Sequence, residues 1–218
     1  MIRVRLTAQD LREHDACDDG VARFEDMLPD GVACEWTPLH GWMALVTFGA
    51  DYRWAAARGL VPDLARTDLT GADLTGADLA RADLAGADLA RADLTGAHLY
   101  RADFTGADLT GAHLTGANLA RANLAGADLY RANLAGADLT GANLARAHLA
   151  RAHLAGANLA GAYLVRANLA GANLADADLT GANLAGANLA DAYVGRSRPE
   201  WLPEQWDVRD GYVCRRES

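Results

Sequence analysis

From Leu64 to Val194 an apolar residue, almost always Leu, returns every five positions for 27 consecutive units without a break of frame. Ala stands two positions before it, with Pro62 and Thr67 the exceptions at the start. Between them lies Asp, Asn, His or Tyr, and after the Leu comes a mostly small residue followed by Gly, Arg or Asp. A period of five fits neither the 3.6-residue helical repeat nor the two-residue alternation of a strand, so the chain must turn once within every unit.

Residues two apart on extended backbone point the same way, which sends Ala72 and Leu74 inward together and leaves Asp73 outside. Thr75 and Gly76 then form a corner. Gly occupies 15 of the 27 second-corner positions, where a type II turn needs a positive φ. The Arg and Asp at the remaining corners read as a second turn type. One segment and one corner per unit make a polygonal coil that buries its apolar side only by stacking on its neighbours, as in a solenoid.

Units such as Gly71-Ala72-Asp73-Leu74-Thr75, continued through Asn188-Leu189, resemble the pentapeptide repeat family over about 130 of the 218 residues. The resemblance implies an all-β solenoid, a right-handed quadrilateral β-helix with four units per coil. Its 27 units would then make about 6.75 coils and, at a ladder spacing of about 4.8 Å, a rod roughly 32 Å long.

The flanks complete a three-part organisation: a small N-terminal helical capping domain at 1–61, the repeat at 62–196 and a C-terminal cap at 197–218. Thr7 can cap a helix through Leu11, and Asp18 or Asp19 a second carrying Val21, Phe24, Met27 and Leu28. Val32 to Trp36 reads as extended, and Thr37-Pro38 opens a third helix continuing to Arg58. At the far end Trp206 to Cys214 reads as a hairpin around Asp210-Gly211. All five Trp lie in these flanks, where the ends of a solenoid need covering.

Three Cys, no charged-then-apolar leader and no apolar run near 18 residues lead to the expectation of a cytoplasmic protein without a membrane segment. His14, Cys17, Cys34 and His40 have a spacing zinc tolerates, but buried Cys and surface His is the better reading, so no metal and no cofactor are expected. The net charge of −9 belongs to residues 1–111, with 19 acids and 10 Arg; residues 112–218 balance at 10 of each. A nucleic-acid binder would carry a basic stripe instead, so direct nucleic-acid binding is not expected.

Four units per coil would stack positions 20 apart. Asp68, Asp88, Asp108 and Asp128 then form one acidic column, with Arg91 and Arg131 near enough to relieve its repulsion. Arg81, Arg101 and Arg121 line a corner beside Tyr100. These eight residues are the candidate partner-binding positions. Gly76, Gly96, Gly116, Gly136 and Gly156 line a bare corner. No nucleophile arrangement or phosphate-cradling loop stands out, which points away from an enzyme.

Two functions fit. One is a binding or architectural module presenting flat faces to a protein partner or to a second copy in a homodimer. The other follows from the resemblance: some family members imitate the width and charge of DNA and bind the type II topoisomerases DNA gyrase or topoisomerase IV, inhibiting or protecting the enzyme from quinolone-type poisons.

Overall fold

The computed structural model describes residues 3–6, 32–35, 64–195 and 198–216. The chain divides into two compact units, Met1–Asp63 and Leu64–Ser218. In the first, β1 (Arg3–Leu6) pairs antiparallel with β2 (Val32–Glu35), Arg3 opposite Glu35 and Leu6 opposite Val32. The extended reading holds for Val32 to Glu35. β1 is an addition to it, although Arg3-Val4-Arg5-Leu6 alternates polar and apolar residues as a half-buried strand does. The three expected N-terminal helices lie outside the described residues.

In the second unit, parallel bridges join residues 20 apart, from Asp68 with Asp88 to Asn173 with Tyr193. Each coil therefore holds four units, and the coils stack in register. The amides of one unit account for this. Asp88 N–H donates back to Thr67 O at 2.9 Å, while Leu89 and Arg91 N–H donate forward to Asp108 O at 2.7 Å and Thr110 O at 2.9 Å. Ala92 N–H closes the corner on Leu89 O at 3.0 Å. Ala90 N–H goes to Asp88 Oδ1 at 3.0 Å. All five donors are satisfied, as buried backbone requires.

Every outward Asp and Asn from Asp68 to Asn188 repeats that last bond, holding the amide two residues on at 2.8–3.3 Å. Both side chains carry the accepting oxygen, which is why the position tolerates either. Inside, Leu and Ala fill the coils. Every large inward side chain from Leu84 to Leu174, Phe104 among them, is at most 1% exposed. Burial at that level stabilises by about 1.5–3 kcal/mol per large side chain.

The corners differ from expectation. Arg at nine of them has φ between 57° and 65°, Asp176 and Asp191 have 57° and 59°, and the corner glycines from Gly71 to Gly186 have 63° to 68°. With the i to i+3 bond and positive φ only at the second corner residue, all are one turn type, type II, whatever the residue. The stacking amide at that residue fixes the backbone, so Arg adopts the conformation Gly would choose.

β3 (Trp206–Arg209) and β4 (Tyr212–Arg215) form an antiparallel hairpin. Its two-residue turn, Asp210 at φ 52° and Gly211 at φ 89°, is the Asp-Gly turn suited to strand twist. Val213 exchanges backbone bonds with the last coil, receiving Asp191 N–H at 2.9 Å and donating to Ala192 O at 2.8 Å. Leu202, Trp206 and Val213 are buried.

Candidate functional site

Among the described residues no polar or charged side chain is buried, so the chemistry lies on the outside of the coils. Asp68, Asp88, Asp108 and Asp128 are consecutive rungs of one side, continued by His148, Asn168 and Asn188. The next side carries Asp73, Asp93, His113, Asn133, His153, Asn173 and Tyr193; the third begins Asp78, His98, Asn118 and Asp138; the fourth begins Asp83, Asp103, Asn123 and Asn143. Acidic rungs gather in the first coils on all four sides.

Arg81, Arg101 and Arg121 occupy successive positions at the corner between the third and fourth sides, all exposed. Tyr100 belongs to the same corner, with the Arg101 guanidinium 5.2 Å from its ring centre. The two candidate groups are therefore separate: the acidic column runs along the first side, and the arginine edge faces away from it.

Arg91 and Arg131 form no ion pair with the acidic column among the described residues. Arg131 instead lies over Tyr130 at 5.1 Å, and a Cβ on Gly111 would sit 3.8 Å from Arg91 Cγ, placing that stem along the axis toward the next coil. The positive-φ corner aims the Arg91 stem at the next corner, and holds Arg131 over its own corner's Tyr130, rather than across the side. The one contact from a basic side chain to the column among the described residues is His148 Nδ1 to Asp128 Oδ1 at 3.2 Å. Tyr130 stacks on the same imidazole, ring centres 5.9 Å apart. The 20-residue offset from Asp128 to His148 is the sequence signal that could have found this group.

Three carboxyls sit below the usual carboxylate range. The amide of Thr70, then its hydroxyl, lowers Asp68. For Asp93 and Asp178 the hydroxyls of Thr95 and Thr180 weigh most, followed by their amides, and at Asp93 the charge of His113 adds a smaller effect. On the fourth side Asn123 Nδ2 donates to Thr105 Oγ1 at 2.7 Å and Asp103 Oδ1 at 3.3 Å, and Asn143 Nδ2 to Asn123 Oδ1 at 3.0 Å. Mixing Asn into an acidic column thus supplies donors where carboxylates alone have none.

Among the described residues no three His, Cys, Asp or Glu side chains could hold a metal ion. No described helix is long and apolar enough to cross a membrane. His14, Cys17 and His40 lie outside the described residues, as does the side chain of Cys34.

An apolar stack of four-sided coils with a patterned exterior defines a β-solenoid of the repeat-protein class. The family model for pentapeptide repeats matches residues 63–99, 97–134, 132–171 and 162–197, and the chain belongs to that family, whose structures are right-handed quadrilateral β-helices. No enzyme family is indicated. Rfr23, a pentapeptide repeat protein of the cyanobacterium Cyanothece 51142, is 41% identical over 39% of this chain and 58% of its own, with a TM-score of 0.39. The match thus spans little more than half of that relative. HetL, a pentapeptide repeat protein involved in heterocyst differentiation regulation from the cyanobacterium Nostoc sp. strain PCC 7120, is 36% identical over 58% of this chain and 76% of its own, TM-score 0.33. QnrB1, a plasmid-mediated fluoroquinolone resistance protein, is 22% identical over 53% and 59%, TM-score 0.44. No curated protein matches the chain.

Proposed function

We propose that this chain is a non-catalytic binding module, a right-handed quadrilateral β-helix whose flat faces dock a protein partner in the cytoplasm. One observation carries the reading: each outward Asp and Asn is fastened to its own backbone, so the exterior is a set of preordered columns around an interior of Ala and Leu. Preordered surface loses little entropy on binding.

The test is capture of partners by the purified full chain and by two paired variants, Arg101→Ala with Arg121→Ala and Gly96→Arg with Gly116→Arg. The second pair is tolerable because other corners already hold Arg at the same φ and nothing lies within 4 Å of where either Cβ would stand. A partner docked on a face through the third side or its corners is lost with one pair and kept with the other. Binding unchanged by both removes this docking face.

The unbroken column Asp68, Asp88, Asp108 and Asp128 favours a second reading, a DNA mimic acting on DNA gyrase or topoisomerase IV. Under it, the protein alters gyrase supercoiling, and Asp68→Asn with Asp88→Asn and Asp108→Asn abolishes the effect while Asn keeps the amide bond the rod needs. An unchanged supercoiling reaction, with and without a quinolone, removes the mimic.

A further inference from the structure

We propose that these rods associate side by side, the Arg81, Arg101 and Arg121 edge of one copy lying against the Asp68, Asp88 and Asp108 side of the next. The inference rests on the binding reading above and makes the partner a second copy of this chain.

The first support is conformational. Arg81, Arg101 and Arg121 hold φ of 65°, 58° and 59°, a region L side chains rarely enter and where Gly serves at 15 other corners of the same turn type. The same conformation recurs at six other Arg corners and at Asp176 and Asp191, so what sets these three apart is their stacking: among the described residues they make the one run of Arg at a single corner over three successive coils.

The second support is charge without a counter-charge, although Arg101 rests against the Tyr100 ring. Among the described residues none of these three guanidinium groups meets a carboxylate. The adjacent Asp83 and Asp103 spend Oδ1 on the amides of Ala85 and Thr105. Asp68, Asp88 and Asp108 likewise spend Oδ1 on Thr70, Ala90 and Thr110, and among the described residues none of the three has a basic side chain against it as Asp128 has His148. Each column stacks like charges, and neither is neutralised by contact within the described chain.

The third support is pitch. Both columns advance one coil per 20 residues, so both rise by about 4.8 Å per charge. Three guanidinium groups can face three carboxylates in step, whether the rods run parallel or antiparallel. Because the arginine edge and the acidic side face away from each other, the contact is heterologous and does not close after two copies.

Sedimentation of the full-length chain tests this. At about 20 mM salt the mass should exceed the monomer and rise with concentration, returning to monomer at about 0.5 M, where charges are screened beyond a few ångströms. Arg81→Gly with Arg101→Gly and Arg121→Gly should leave circular dichroism and coil cooperativity intact and give a monomer at every salt. The triple Asp68, Asp88 and Asp108 change to Asn should do the same. An equimolar mixture of the two triple variants retains one strip of each kind, so its mass should double and stop there.

A wild-type chain monomeric at low salt, association indifferent to both variants, or a mixture that stays monomeric overturns the inference. A wild-type monomer that nevertheless captures a different protein through these faces would sink self-association and leave the binding module standing.

Discussion

Gly211→Ala should release the C-terminal hairpin while leaving the coils closed. Gly211 has φ +89°, and a Cβ there would stand 2.7 Å from Tyr193 Cε2 and 3.3 Å from the Gly195 carbonyl oxygen. An L residue at positive φ costs about 1–2 kcal/mol. The Tyr193 ring must also swing away, loosening its tilted contact with Tyr212 at 5.1 Å, a loss of about 0.5–1.5 kcal/mol. Together these favour the open hairpin by about 1.5–3.5 kcal/mol, roughly a 10- to 300-fold change in its population.

Amide exchange reads this directly. Val213 N–H is held by Ala192 O at 2.8 Å and Val194 N–H by Gly211 O at 2.9 Å, and both should exchange faster by that factor. Leu119 and Leu124, bonded to coils far from the cap, should not change, since a solenoid unit touches only its neighbours. Adding Tyr193→Ala should cost less than the sum of the single changes by about 1 kcal/mol. Unaltered exchange at Val213, or equal acceleration at Leu119, would refute the reasoning.

Three further outcomes follow from the packing and the columns. Phe104 is fully buried; Phe104→Ala should cost about 3–5 kcal/mol in thermal or urea unfolding and Phe104→Leu, which restores the repeat, under about 1.5 kcal/mol, and equal costs would contradict a filled coil. Asp68, Asp93 and Asp178 titrate below their usual value, so their contribution is complete above about pH 4 and is lost as pH falls through the depressed folded values. Thr95→Ala and Thr180→Ala should raise the Asp93 and Asp178 titrations seen by carboxyl NMR more than Thr70→Ala raises Asp68, where the amide is the larger cause, and the acid unfolding midpoint should move upward. A Thr95→Ala protein with Asp93 unmoved would count against the hydroxyl. Asn123→Asp removes both donors to Thr105 and Asp103 and should cost about 1 kcal/mol in unfolding, partly recovered at high salt; a neutral or stabilising result would deny the ladder its role.

The repeat was legible because its period admits one arrangement: Ala and Leu share a direction, and the Gly-rich corner must turn. The 20-residue register came from family resemblance, since five-residue spacing alone does not set the number of sides. The uniform corner was not legible. Arg has no preference for positive φ, and only the amide bond to the next coil, as between Arg81 N–H and Tyr100 O at 2.9 Å, explains why it takes that conformation. Nor did the sequence disclose that the outward Asp caps a backbone amide. Read alone, Asp68, Asp88 and Asp108 look like charge placed for a partner. In the fold each also does a task that uncharged Asn168 and Asn188 perform on the same side at 3.2 and 3.1 Å, so capping alone does not require Asp over Asn. Asp128 and His148 meet only because a coil is 20 residues long.

The closed set of amide bonds in each five-residue unit makes length a separable property of this molecule. Excising one whole coil, for instance residues 110–129, should yield a shorter rod with every remaining side in its original orientation. Excising a single unit would instead swing everything downstream through one side, handing the acidic side the rungs that belonged to its neighbour. Gene duplication and slippage can therefore lengthen such a protein freely in steps of four units, while any other step rewrites what it shows to the outside.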